Sequence, residues 1–385
     1  MDFSFSEEQL AFREQVLKFA RREIVPRVQQ HDREHRFDFE AFRKMGAFGL
    51  LGLHLPERYG GAGADVVTTV MAGEALGEAG VDGGLCLAYG AHSFLCADTL
   101  YQHGSEALRE RHLPGLISGE RIGCMGLTEP GAGSDVAAMR TKAVRDGDQW
   151  VLNGSKIFIT NGPIADVALV YAKTDPDAGH AGISAFLVER DTPGFSAGEP
   201  LRKLGVRSSQ TSELFFDDCR VPAENLVGSQ GAGFLMAMET VEWDRSALIA
   251  PFVGALDYAQ ARCAAYASER QQFGRPIASF QAVRHKLAEM AIFTEAARCL
   301  VYRIAWCKDQ QQPVNHLEAA VAKLFIGDWS LGPANAALTL MGGYGYCEEY
   351  DVERILRDGR LAPIGGGTSE IQKQIISKLM LAERS

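Results

Sequence analysis

The chain has 385 residues, more than one hydrophobic core usually supports, so two or three packed domains are expected. Hydrophobic residues make up 46% and charged residues 23%, ordinary for a globular protein, and a net charge of −10 argues against broad nucleic-acid binding. Eight cysteines stand singly, with no C-x-x-C pair, which speaks for reduced thiols rather than a disulfide frame or a zinc site.

The opening, MDFSFSEEQLAFREQ, is acidic and helical, unlike a signal or transit peptide. No run approaches the ~20 apolar residues of a membrane span, and a cytoplasmic location is expected. Ser6 is a candidate N-cap followed by Glu7 and Glu8, and apolar residues recur at Leu10, Phe12, Val16, Phe19 and Ala20. That pattern predicts a helix to about Val28 despite Pro26, with further helical segments around 39–49, 65–79 and 90–118. Glycines at Gly60, Gly61 and Gly63 punctuate this part.

The period changes near residue 120. From Ile122 to about Val227, short β-rich runs such as QWVLNGSKIFITNG and ADVALVYAKTD alternate with turns, predicting a small antiparallel barrel or sandwich. From Gly231 onward long amphipathic segments return, with few Pro or Gly until 342–345 and 365–367, and predict a helical bundle. The expected domains are therefore 1–120 (helical), 121–229 (β) and 230–385 (bundle), an α+β multidomain fold.

The octamer Thr128-Glu129-Pro130-Gly131-Ala132-Gly133-Ser134-Asp135 enters the β region. Its glycines would let backbone approach a flat ring or a phosphate, with hydroxyls to direct hydrogen bonds, although a simple turn reads equally well from the octamer alone. Phe158-Ile159-Thr160-Asn161, on a later strand, offers an aromatic next to a hydroxyl. Gly194-Phe195-Ser196-Ala197-Gly198 matches the G-x-S-x-G elbow of serine hydrolases. That elbow needs a helix after it, and Pro200 with β surroundings predicts a hairpin loop instead. There is no phosphate loop, no H-E-x-x-H zinc motif and no G-x-G-x-x-G opening a helix, so neither a metal nor a nicotinamide domain is indicated.

Asp244 falls on a helix expected to begin near Gly231, with Thr240, Val241, Ala247 and Leu248 one turn away. A carboxylate in such an apolar stripe is either a base of raised pKa or half of a structural ion pair. Arg270 to Gly274 and Gln281 follow, then Gly342-Gly343-Tyr344-Gly345 and Gly365 to Glu370. An Arg beside a Gly loop suits a pyrophosphate, and each glycine cluster equally suits a helix C-cap.

In order along the chain, MDFSFSEEQ, YGAHSFL, LTEPGAGSD, NGSKIFITNG, KLGVRSS, FFDDCRVP, ERQQFGRPI, LMGGYGY, ILRDGRL and GGGTSEIQ resemble the acyl-CoA dehydrogenase flavoproteins from end to end. The local likeness is to the isovaleryl- and long-chain branches. The resemblance implies an N-terminal helical domain, a middle antiparallel β domain and a C-terminal four-helix bundle. It further implies FAD between the subunits of a homodimer or homotetramer, and an electron-transferring flavoprotein as acceptor. Leu127, Thr128, Gly133, Ser134, Phe158 and Thr160 would then surround the isoalloxazine. Arg270, Gln272, Phe273, Gln281, Thr339, Gly342 and Gly343 would reach the pyrophosphate and adenosine of a neighbouring subunit's FAD, Thr339 departing from the Gln frequent there. Thr368 and Glu370 would close the site.

Many members of the family place a base Glu before the Gly-Thr of the terminal motif, where this chain has Gly366. In the isovaleryl- and long-chain branches a Glu on the first bundle helix acts instead, and its counterpart here is Asp244 in Trp243-Asp244-Arg245. Asp244 is thus the implied base, Gly366 would offer its N–H to the thioester carbonyl, and Ser134, Trp243 and Arg245 would face the substrate. The implied reaction is α,β-dehydrogenation of a short or branched acyl thioester, carried by coenzyme A or by an acyl carrier protein. A flavoprotein of this fold without dehydrogenase activity is the other reading.

Overall fold

The structure, a computed structural model, describes residues 4–244, 246–310 and 316–382. The N-terminal helices are α1 (Glu7–Glu23), α2 (Val25–Glu34), α3 (Phe39–Ala47), α4 (Val66–Ala79), α5 (Gly83–Gly90), α6 (Asp98–His103) and α7 (Glu106–Ser118). Ser6 and Gln9 form a reciprocal capping box at 3.1 Å, as the N-terminal signal predicts. The single helix predicted to Val28 is instead divided at Ile24, because Pro26 has no N–H to continue the ladder and starts α2 instead. The segment predicted around 90–118 is likewise divided: Ala91–Ala97 widens into a π-helix, and Gly104 ends α6 in extended backbone.

The β region comprises β1 (Gly123–Gly126), β2 (Lys142–Asp146), β3 (Gln149–Thr160), β4 (Val167–Lys173), β5 (Ile183–Glu189), β6 (Phe195–Ala197), β7 (Thr211–Pro222) and β8 (Leu226–Val227). The sheet order is β6-β7-β3-β2-β4-β5-β8. Its ladders are antiparallel except two: β1 runs parallel to β4, and β2 meets β4 in parallel at Lys142 opposite Lys173. Ser196 lies on β6 opposite Phe215 with no helix behind it, so the hairpin reading holds and the elbow is excluded.

The C-terminal part holds α8 (Gly233–Asp244), α9 (Ala250–Glu269), a hairpin of β9 (Gln271–Gln272) and β10 (Arg275–Pro276), then α10 (Gln281–Asp309), α11 (His316–Leu324), α12 (Leu331–Met341), α13 (Val352–Gly359) and α14 (Ser369–Ala382). The expected continuous helix through Asp244 is not formed. Ala247 and Leu248 lie in a turn, and Pro251 sits in the first turn of α9, so the apolar stripe around Asp244 belongs to two elements.

The two helical regions share one core, in which Val70, Ala72 and Leu76 of α4 pack with Ala250 and Val253 of α9 and Val301 of α10. The crossing of α4 and α9 is so close that a Cβ on Gly77 would stand 1.8 Å from the Pro251 carbonyl. Arg298 of α10 ties the crossing together, donating to Glu74 at 2.6 Å and to Asp257, while the Tyr302 hydroxyl also donates to Glu74 at 2.6 Å.

His92, in the π-helix, joins this core to the sheet. Its Nδ1 accepts from the Gly123 N–H and its Nε2 donates to the Leu116 carbonyl, both at 2.9 Å. Burial lowers this imidazole to about 4, so it is neutral in the native state. Below the unfolded-state value near 6.5 the unfolded chain takes up a proton that the fold refuses. Its contribution is therefore full above pH 6.5 and declines towards pH 4, by about 3 kcal/mol in all. Thermal melts from pH 7 to 4 are expected to show a shallower loss for His92→Gln than for the parent; parallel curves would contradict this.

Candidate functional site

The Gly-rich segment 127–135 leaves β1 and turns at Glu129–Ala132. What fixes it is a buried ion pair that sequence inspection did not single out. Lys156 on β3 is fully buried and donates to the Glu129 carboxylate at 2.7 Å and to the Leu127 carbonyl at 3.2 Å. Glu129 also accepts the N–H groups of Arg140 (2.5 Å) and Thr141 (3.0 Å). Burial opposes ionisation of Glu129, but the ammonium and these N–H donors outweigh it and hold the carboxyl below its usual range. The signal was present: Lys156 shares the inward parity of Trp150 and Leu152 on an alternating strand.

The Ile157 N–H donates to the Thr128 carbonyl at 2.9 Å, which sets the octamer beside the Phe158–Thr160 segment. There the β3–β7 register slips between Lys156 and Ile159, and Phe158 is held at φ 59°. An aromatic L-residue rarely adopts that conformation, and its ring stays 64% exposed. The side-chain hydroxyls of Thr128, Ser134 and Thr160 have no hydrogen-bond partner among the described residues, and a Cβ on Gly131 or Gly133 would meet open space. An uncovered aromatic face, unengaged hydroxyls and open glycines on a rigid floor fit the edge and face of a flat heterocycle. Relief of strain in Phe158→Gly is offset in part by the entropy glycine adds to the unfolded chain. The apoprotein is therefore expected to melt within a few degrees of the parent, while flavin retained on purification, read from visible absorbance, falls at least about tenfold. Full retention would remove Phe158 from the site.

The second predicted group assembles elsewhere on the chain. Arg270 caps α9, and its guanidinium lies 5.6 Å from the Tyr344 ring centre, which joins it to Gly342 and Gly343. The β9–β10 hairpin turns through Phe273 (φ 53°) and Gly274 (φ 77°), and Phe273 is 92% exposed at its tip. Gln272 and Gln281 are exposed beside it. Thr339 is exposed too, but its hydroxyl donates to the Asn335 carbonyl of its own helix. Among the described residues no hydrogen bond or ion pair links this group to segment 127–160 of the same chain.

At the terminal motif Gly366 (φ 64°) and Gly367 (φ 90°) make consecutive left-handed turns. The buried Gln372 amide donates to both their carbonyls at 3.3 Å, and Lys323 donates to Gly367. Thr368 accepts the Ile371 N–H at 3.3 Å to start α14, and Glu370 is exposed in its first turn. The Gly366 N–H engages no carbonyl among the described residues. The side chains of Trp243 and Asp244, and Arg245 as a whole, lie outside the described residues. The backbone of α8 ends at Asp244, between Thr240, which hydrogen-bonds Thr99 at 2.8 Å, and Leu248, which packs against Gly90. Tyr89 beside that contact is buried, with no partner for its hydroxyl among the described residues.

Sequence profiles described as the N-terminal, middle and C-terminal domains of acyl-CoA dehydrogenase match residues 6–120, 124–219 and 231–381. The chain is 42% identical over 377 residues to a short-chain-specific acyl-CoA dehydrogenase of Clostridium acetobutylicum, covering 98% of this chain and 99% of that one. The solved prolyl acyl carrier protein oxidase AnaB superposes with a TM-score of 0.95 at 36% identity, over 98% of this chain and 100% of that one. The structure of PigA with FAD and proline superposes at 0.96 with 34% identity, over 100% of both chains.

Proposed function

This chain belongs to the acyl-CoA dehydrogenase family, and from that premise we propose that it desaturates a short or branched acyl thioester with Asp244 as the base. It is an FAD-dependent oxidoreductase. FAD, when bound, accepts the β-hydrogen with its electron pair. The chain's own residues do the rest. Asp244 removes the α-proton, and the Gly366 N–H donates to the thioester carbonyl, so negative charge developing on that oxygen is met by a fixed dipole. The observation that carries this reading is the terminal loop: its peptide planes are locked by Gln372 and Lys323, its Gly366 N–H is unengaged, and it brings no carboxylate at position 366. The proton acceptor must then come from another element, and α8 ends on one.

Thr128, Ser134, Phe158 and Thr160 hold the flavin ring. Arg270, Phe273 and Gly343 serve the pyrophosphate and adenosine of a neighbouring subunit in a homodimer or homotetramer, which accounts for a bare phenylalanine at a hairpin tip. The enzyme acts in the cytoplasm and passes its electrons to an electron-transferring flavoprotein. Among the described residues no helix is long and apolar enough to cross a membrane.

Incubation with butyryl-CoA or isovaleryl-CoA and an artificial one-electron acceptor is expected to yield an enoyl thioester lacking two hydrogens, read by mass spectrometry. Recovery of unchanged thioester from a broad panel would overturn the reading. The likeness to AnaB favours a second carrier, an acyl carrier protein, and the same assay with loaded carrier decides between them.

A further inference from the structure

A cleft of about 310 Å³ lies between the end of α2 and the loop from β6 to β7, and its lining includes His35, Arg202, Lys203, Arg207, Ser209 and Gln210. The loop is fixed by its own hydrogen bonds. The Leu201 N–H donates to the Thr211 carbonyl at 2.8 Å, and the Val206 N–H to the buried Asp358 carboxylate at 2.5 Å. The Gln210 amide donates to the His35 carbonyl at 2.9 Å and closes the loop against α2.

The charges around this cleft do not balance. Arg202 is exposed, with no hydrogen-bond or ion-pair partner among the described residues. Lys203 donates to the Ser209 carbonyl at 2.5 Å and meets no carboxylate at ion-pair distance. Arg207 donates to the Leu204 carbonyl at 3.1 Å and reaches Glu348 only at 3.5 Å. The acids at the rim are already engaged: Glu34 pairs with Arg36 at 2.9 Å, and Glu348 with Arg33 at 3.1 Å. His35 registers the excess. Burial lowers its pKa, and the fields of Arg207, Arg202 and Lys203 lower it further against the pull of Asp32. On a chain of net charge −10 this is a local concentration of positive charge.

One polar group in the lining is also unsatisfied. Ser209 is fully buried, and its hydroxyl has no hydrogen-bond partner among the described residues. Leaving such a group unmade is costly, so an oxygen atom of a ligand in the cleft would gain by meeting it. Two guanidiniums, an ammonium and a hydroxyl supply donors in several directions, which suits a tetrahedral dianion better than a planar carboxylate. The volume is at the small end of the range for ligand clefts, ~300–1,000 Å³, and fits a phosphate with a short organic remainder.

Behind the cleft the Gln210 carbonyl accepts the Asn161 N–H at 2.7 Å, and Thr211 stands opposite Thr160 in the β3–β7 ladder. We propose that this cleft binds a phosphate group, as the free ion or the end of a small monoester, on Arg202, Lys203, Arg207 and the Ser209 hydroxyl, and that its occupation steadies segment 158–160 behind it. The binding site does not depend on the dehydrogenase reading; the second clause rests on the flavin contacts proposed above.

The test is calorimetric titration of the FAD-loaded protein with inorganic phosphate and with glycerol 3-phosphate, at constant ionic strength set by chloride. Arg202→Ala and Ser209→Ala are measured beside the parent. Neither change removes a contact within the chain, so both variants should melt with the parent when phosphate is absent. The expected result is binding to the parent that weakens about tenfold in Arg202→Ala and about fivefold in Ser209→Ala, the factors for a charge-assisted and a neutral hydrogen bond. Tighter binding of glycerol 3-phosphate would support a monoester as the ligand, and tighter binding of inorganic phosphate the free ion. No binding to the parent at millimolar concentration, or equal affinities in all three proteins, would overturn the site. Slower reduction of an acidic acceptor protein by Arg202→Ala, with neither phosphate bound, would also overturn it and make the face a docking surface. FAD release from the parent at fixed temperature, followed by flavin fluorescence, should slow with phosphate, and release from Arg202→Ala should not. Release unchanged in a parent that binds phosphate would overturn the link to segment 158–160.

Discussion

Asp244→Asn is expected to slow flavin reduction by acyl thioester about 10³-fold, within the 10²–10⁴ that a positioned general base contributes. Asn keeps the size of the side chain and removes only its proton affinity, so FAD content and thioester affinity should change little. Rapid-mixing absorbance under anaerobic conditions separates these quantities. A companion variant, Asp244→Glu, lengthens the reach by one methylene. Because about 1 Å can decide a rate, it reports whether the substrate sits close against α8 or is met at a distance. Moving the acid to the terminal loop is a harder change. Gly366 is held at φ 64°, where an L-residue costs about 1–2 kcal/mol, so Gly366→Glu combined with Asp244→Asn should restore activity only in part and at reduced stability. Asp244→Asn with undiminished reduction would remove Asp244 as the base. A parent enzyme that none of these thioesters reduces would favour the flavoprotein reading without dehydrogenation.

Lys156→Met should destabilise the enzyme by about 3–5 kcal/mol, because it leaves the Glu129 carboxylate buried without its counter-ion. At roughly 2–4 °C per kcal/mol the melting temperature would fall by about 10 °C. The larger consequence is local. The same ammonium holds the Leu127 carbonyl, so the proposed flavin floor loses its anchor and FAD is expected to dissociate during purification. Lys156→Met with Glu129→Gln removes both charges and is expected to recover a substantial part of the stability but less of the FAD, since the loop still lacks its tie. Glu129 is held below its ordinary 4.5, so its contribution is present above that pH and is lost as acidification protonates it. Differential scanning calorimetry of both variants, with the ratio of flavin to protein absorbance, checks these outcomes. A Lys156→Met protein that melts with the parent and keeps its FAD would contradict them.

Periodicity and punctuation made the three-part architecture legible, and local chemistry set much of the detail. The Ser6–Gln9 box is read from four residues because its hydrogen bonds are local. The breaks at Ile24 and after Asp244 were missed although Pro26 and Pro251 signal them, because a helical apolar pattern continues across both. The glycines and hydroxyls of segment 127–135, the proposed flavin loop, are legible in the sequence, whereas the Glu129–Lys156 pair that supports that loop is not. The two residues are 27 apart in sequence, and only the fold shows that both face inward. The strain at Phe158 is equally invisible to periodicity, since it arises from a slipped register against β7.

A thioester is expected to reduce the flavin of this chain. The most direct test is anaerobic absorbance of the FAD-loaded enzyme during stepwise addition of butyryl-CoA, isovaleryl-CoA and their carrier-protein counterparts. Bleaching of the flavin band by one of these thioesters at stoichiometric concentration is the expected result. A flavin band that stays oxidised with all of them, yet bleaches with dithionite, would contradict it.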